Sequence, residues 1–250
     1  MNKDNLTKRI NYLSSNFQTH IICPYCKKDF LEFNKNNTNK IFTSRCESPD
    51  SDPRDDKFFI SGILICKYCE KGITFLGKGN NDLFEIYDKG ESYDEYGESL
   101  EFLAFAPPLE LIGLSDKIPP KIQESLRESF SLYFLDMKAC ANRIRETIEV
   151  IMNDFRIPKK KKSKKNKMSN LVLHRRIEEF GLKSKYSEAS KYLTAIKWIG
   201  NEGSHSGIFN EESVLAGYEM LEKALDLIYV KDNQKLLKIR DKILKTKRYS

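Results

Sequence analysis

Four cysteines carry the plainest chemistry in this chain, as Cys23-Pro24-Tyr25-Cys26 and Cys66-Lys67-Tyr68-Cys69. A Cys-x-x-Cys turn sets two thiolates at neighbouring corners of a tetrahedron, and two such turns close a four-sulfur site. Zn2+ suits that donor set because it is redox-inert and accepts tetrahedral geometry. A structural Zn2+ held by Cys23, Cys26, Cys66 and Cys69 is therefore the expected cofactor. Four thiolates leave no open coordination position, which argues against catalysis at the metal. Cys46 and His20 are the alternative ligands, but neither has a partner at ligand spacing.

A second group is the stretch Lys197-Trp198-Ile199-Gly200-Asn201-Glu202-Gly203-Ser204-His205-Ser206-Gly207. Lys197, Asn201 and His205 are four residues apart, so on a continuing helix a cation, an amide and an imidazole share one face. Gly200 and Gly203 point instead to a frayed helix end where backbone comes close to another element. The third feature is a run of like charge that cannot fold on itself and reads as a loop: Lys159, Lys160, Lys161, Lys162, Lys164, Lys165 and Lys167. It is either simply solvated or a contact to a phosphate backbone, where each Lys displaces a condensed counterion. It has no interleaved aromatics, so base stacking is not expected of it. Cys140 and His174 read as a buried small apolar residue and a partly buried helix residue.

Gly200-Asn201-Glu202-Gly203-Ser204-His205 resembles the GNE-x-x-H helix end of a bacterial HEPN-like group, domain of unknown function 4145. Members of that group often carry an N-terminal zinc ribbon. Arg145-Glu146-Thr147-Ile148-Glu149 is similar to an Arg-x-x-Leu-Glu-like pattern of the same group, and also reads as an ordinary i,i+4 surface pair of Arg145 with Glu149. The resemblance implies an all-α HEPN-like bundle and a homodimer that joins two such elements across one groove. In HEPN ribonucleases an RNxxxH element acts without metal: the Arg holds the scissile phosphate and the His moves a proton during attack by the ribose 2′-OH. Here His205 and Asn201 match that element, and Gly200 stands in place of the Arg. Lys197, Arg143 or Arg145 would then have to supply the cation, Lys being the poorer phosphate clamp. The lost Arg favours a module that binds RNA, another nucleic acid or a protein partner, with prokaryotic defence or stress response as the setting by analogy. The alternative is a metal-independent endoribonuclease.

The elements that must position these residues follow from pattern and punctuation. The expected fold class is α+β: a small metal-pinned antiparallel β region over residues 1–106, then a helical bundle over 107–250. The proline pairs at 107–108 and 119–120 mark the change. Residues 4–17 read as one short helix. Ile41–Thr43, Phe58–Ile65, Gly72–Leu76, Phe84–Tyr87 and Leu100–Phe105 read as strands. Beyond Pro119, apolar stripes place helices over 121–134, 137–155, 170–180, 187–200, 211–230 and 233–245, with Asp136, Ser169 and Ser187 as caps.

Of 250 residues 40% are hydrophobic, enough for a core, and the net charge of +7 is unevenly spread. Asp82–Glu101 is acidic, whereas 156–167 and 231–248 are basic. No apolar leader and no membrane-length run is visible, so the expected location is cytoplasmic, with no membrane partner and reduced cysteines.

Overall fold

Alternation of apolar and polar residues shapes the first part of the chain. Phe58, Ile60, Leu64 and Cys66 are buried, while Phe59, Ser61 and Ile63 between them are exposed. That period of two belongs to a sheet with one covered face. A computed structural model of the chain describes residues 9–12, 16–45, 52–88, 90–162, 168–202, 211–230 and 245. They divide into two units, residues 1–113 with 126–140, and residues 114–125 with 141–250.

The first unit is built on seven antiparallel strands: β1 (Arg9–Tyr12), β2 (Asn16–Ile22), β3 (Phe30–Asn34), β4 (Thr38–Ser44), β5 (Lys57–Cys66), β6 (Gly72–Asp88) and β7 (Glu91–Ala106). Their order is β1-β7-β6-β5-β3-β2, and β4 also pairs with β5. The strands expected around residues 41–43, 58–65, 72–76, 84–87 and 100–105 all lie in these elements. The helix expected over residues 4–17 does not form: Arg9–Tyr12 pairs with Glu98–Glu101 of β7, and Asn16 opens β2. A helix of a dozen residues is marginal by itself, so an available sheet edge wins. One file of aromatic rings fills the covered face. Phe33 meets Phe75 at 5.9 Å, Phe75 meets Phe102 edge-on at 5.4 Å, and Phe105 lies 4.8 Å from Phe102 and 4.9 Å from Phe134. Such pairs add about 0.5–1.5 kcal/mol each beyond their buried area.

The helices are α1 (Pro120–Tyr133), α2 (Met137–Asp154), α3 (Leu173–Gly181), α4 (Ser187–Glu202) and α5 (Glu211–Leu225), the last running into a π-helical turn, Asp226–Val230. The chain is therefore mixed α+β, as its pattern predicts. Asp136 caps α2 as expected, its Oδ1 accepting from the amides of Lys138 and Ala139 at 2.9 Å. The apolar stripe of α2 is buried as read: Cys140, Ile144, Ile148, Ile151 and Met152. Two expectations fail here. Ser169 does not cap α3, which begins after Val172. The start of the lysine run is not a loop, because Lys160–Lys162 (β8) pairs with Met168–Asn170 (β9), which satisfies the backbone of both segments. The helix expected over 233–245 lies outside the described residues except for Lys245. Among the described residues no helix is long and apolar enough to cross a membrane.

In the second unit α3 is tied to α2 by one buried arginine. Arg176, 1% exposed, donates through Nη1 to Glu149 and through Nη2 to Asn153 Oδ1 at 2.8 Å and the Ile157 carbonyl at 3.0 Å. Beside it Phe180 stacks on Tyr186 at 4.7 Å, and Phe155 packs against both at 5.0 Å. Arg176→Leu is expected to destabilise the protein by roughly 2–3 kcal/mol, since it strands a charge and a carbonyl together. Arg176→Leu/Glu149→Leu should recover part of that loss. Denaturant unfolding of the two variants checks this; an unchanged midpoint for Arg176→Leu would show the tie to be dispensable.

Candidate functional site

The cysteine cluster is assembled by strand register. β3 pairs with β5 through Leu31↔Cys66 and Glu32↔Ile65, which brings the turn after β2 beside the turn after β5. The two turns repeat one another. The Lys27 amide donates to the Cys23 carbonyl at 3.0 Å, and the Glu70 amide to the Cys66 carbonyl at 2.8 Å. Lys27 and Glu70, each following the second cysteine, both take a left-handed backbone, with φ of 56° and 58°. Cys23 and Cys69 Sγ are 3.6 Å apart, as are Cys26 and Cys66, and all four sulfurs lie within 4.8 Å of one another. A tetrahedral ion with metal–sulfur bonds of about 2.3 Å sets its sulfurs about 3.8 Å apart. The four thiols therefore fit a metal ion.

Burial pushes the Cys66 thiol up to about 12 and also raises Cys23. The backbone amide of Lys28 holds Cys26 down at about 7. The lysines flanking the turns are tied to their surroundings. Lys27 pairs with Glu110 at 3.1 Å, Lys67 with Glu32, Lys28 donates to Tyr68 Oη at 2.8 Å, and Lys71 Nζ lies 5.1 Å from the Tyr25 ring centre. They set positive charge around a group whose four thiolates outweigh a divalent ion. His20 is exposed, stands edge-on to Phe30 at 6.3 Å and is not part of the cluster. Cys46 lies outside the described residues.

A second arrangement forms in the helical unit. Lys197 is on α4 and only 5% exposed, its Nζ 3.3 Å from the ring centre of Trp198. Burial lowers the pKa of this ammonium and the Arg145 guanidinium nearby lowers it further, with the Glu178 carboxylate opposing both. Arg145 has a buried Nε without a hydrogen-bond partner. Its expected i,i+4 partner, Glu149, accepts from Arg176 instead, so the surface pair predicted for Arg145 is absent. The physical reason is that a buried guanidinium from α3 can offer Glu149 a drier bond than a same-helix neighbour can. Gly200 makes the approach of α4 to α2 feasible: a Cβ there would stand 2.9 Å from Arg145 Cβ and 3.3 Å from the Ala141 carbonyl oxygen. Among the described residues neither Lys197 nor Arg145 makes an ion pair.

The structure thus joins two of the predicted site residues, Lys197 and Arg145. Arg143 is engaged with Glu146 at 2.8 Å. Asn201 lies in the last turn of α4. His205 falls outside the described residues, as do Lys164, Lys165 and Lys167. Lys161 pairs with Glu179 at 2.6 Å, and a groove of about 750 Å³ runs past Lys161, Arg175, Glu178, Glu179 and Ser190. His174, whose Nε2 lies 3.4 Å from Glu178, and Trp198, 6.3 Å from the His174 ring, were not among the predicted site residues. The i,i+4 spacing of His174 and Glu178 was the available signal for α3; nothing local placed Trp198 against it.

With this geometry in hand, residues 127–247 match a family model described as Domain of unknown function (DUF4145). The matched span contains α2 to α5 and both cations. Compared with curated proteins and with solved structures, the chain finds no match.

Elemental analysis of the purified protein should find about one thiophilic metal ion per chain, bound through deprotonated thiols. Protons compete for those sulfurs, so metal should be lost as the pH falls and regained as it rises. Cys66→Ser should lower both metal content and the melting temperature. Protein that is metal-free without chelator would contradict the site.

Proposed function

We propose that the chain is a nucleic-acid-binding module: a zinc ribbon-like unit held by a structural Zn2+ on Cys23, Cys26, Cys66 and Cys69, joined to a HEPN-like helical bundle whose phosphate contact is Lys197 with Arg145. The observation that supports it most is a 5%-exposed lysine that makes no ion pair within 4 Å among the described residues, with Glu178 acting on it only at longer range, beside an arginine whose buried Nε has no hydrogen-bond partner among them. Two neighbouring cations with reduced hydration are costly unless an anion completes them. A phosphodiester supplies the anion, and the fork of a guanidinium matches its oxygens. The groove that shares Glu178 with this point carries Lys161 and Arg175, each ion-paired, to Glu179 and to Glu178. The basic segments at 156–167 and 231–248 favour a polyanion over a small phosphate.

A second reading has a specific observation behind it. Arg145 crosses the surface of Gly200, the position where the RNxxxH element carries its Arg, so α2 supplies a guanidinium next to the place where α4 lacks one. Under that reading a homodimer is a metal-independent endoribonuclease, with Asn201 and His205 completing the site and Arg145 and Lys197 holding the scissile phosphate.

Fluorescence anisotropy with a labelled RNA tests the binding reading. Lys197→Met and Arg145→Met should each weaken binding by roughly tenfold, the size of one charge-assisted hydrogen bond. Each should also reduce the slope of log affinity against log salt by about one. Folded variants that bind like the wild type would overturn the site. Cleavage by the wild type without metal, absent in His205→Ala and leaving 2′,3′-cyclic phosphate ends, would move the function to the nuclease.

A further inference from the structure

We infer that Trp198 is a stacking platform for a nucleobase and makes the Lys197–Arg145 site selective for single-stranded nucleic acid; this rests on the phosphate reading above. Trp198 is the only tryptophan of the chain and is 57% exposed. It is a large apolar ring left in solvent on a helix whose stripe of Ala189, Leu193 and Ile196 is buried. The ring does not stand alone. The Lys197 ammonium sits 3.3 Å from its centre and the His174 ring lies 6.3 Å away, tilted by 52°.

These contacts give the indole a defined place beside the buried cation. A phosphate held by Lys197 and Arg145 brings the base of its own or the adjacent nucleotide to that ring. An indole offers a π-face to any base, and a cation against the same ring adds attraction rather than competing for the base edges. In a duplex the bases are stacked on one another and their faces are closed to a side chain, so only an unpaired base can use the platform. The lysine run lacks aromatics in its own sequence; α4 carries one next to Lys197, and the groove residue Glu178 acts on both His174 and Lys197.

The single tryptophan makes the test direct. Intrinsic fluorescence of the full chain is followed while it is titrated with a single-stranded RNA, the same sequence as DNA, the corresponding duplex, and inorganic polyphosphate. The single strands should quench the emission, and the duplex and polyphosphate should leave it nearly unchanged. By anisotropy, Trp198→Leu should lose about 5- to 100-fold in affinity for the single strand. It should keep its affinity for polyphosphate and its melting temperature, and Trp198→Phe should recover part of the loss. RNA quenching more than DNA would identify the 2′-OH as part of the contact.

The platform is overturned if Trp198→Leu binds the single strand like the wild type, or if polyphosphate quenches as strongly as the oligonucleotide. It is equally overturned if Trp198→Leu alters only self-association, which would make the ring a protein contact. Those results leave the phosphate site intact where polyphosphate binding still depends on Lys197. Loss of that dependence removes the phosphate reading and the platform with it.

Discussion

Position 200 tolerates no side chain, and the helical unit's chemistry depends on that constraint. A Cβ there would meet the Arg145 Cβ at 2.9 Å, well inside ordinary contact, and the Ala141 carbonyl at 3.3 Å. A glycine in a helix interior costs about 1 kcal/mol relative to alanine. Here that cost brings α4 against α2 and sets a guanidinium beside an ammonium. Without the close approach, Arg145 would be an ordinary solvated arginine and Lys197 a lysine near a helix end. With it, burial and like charge act on Lys197 together, and among the described residues the Glu178 carboxylate and the Trp198 ring oppose them. Two cations left uncompensated are a poor device for stability. They are a good device for holding an anion.

The sheet unit solves a different problem. Its strands bury one face only, and Phe59, Ile63 and Leu76 remain exposed on the other. At the end where β3 meets β5 there are two tight turns, each with a left-handed residue and a buried cysteine. Burial alone makes Cys66 a very weak acid. A metal ion changes the sign of that environment, since it binds the thiolate that burial opposes. One ion held there would cross-link turns separated by three strands, which small units with thin cores otherwise achieve by disulfides.

What was legible in the sequence follows the range of the interactions. The four-cysteine cluster was readable because a Cys-x-x-Cys turn is a local object and its chemistry needs no neighbours to be recognised. The strands from Phe58 onward and the helices from Pro120 onward were readable from their periods. The misreadings share one cause. Residues 9–12 pair with Glu98–Glu101, about ninety positions away, and no local pattern announces that partner. Arg145 loses Glu149 to Arg176 from another helix. Lys161 finds Glu179, and the backbone of Lys160–Lys162 finds Met168–Asn170, which turns a repelling run into a hairpin. In each case a partner distant in sequence outweighed a preference read within a few residues.

The same logic separates binding from cleavage in the helical unit. Phosphate binding as proposed needs only cations that the fold holds together before the anion arrives, and packing alone holds Arg145 and Lys197 near one another. Cleavage needs in addition a group that exchanges a proton at the reacting oxygen, placed within hydrogen-bond reach of it. His174 is the described imidazole on the helix facing the cations, and its Nε2 lies 3.4 Å from Glu178 rather than toward Arg145. The described residues that the fold brings together, Lys197 and Arg145 beside Trp198, are thus suited to the binding reading proposed above. The imidazole that the nuclease reading calls on, His205, lies outside the described residues.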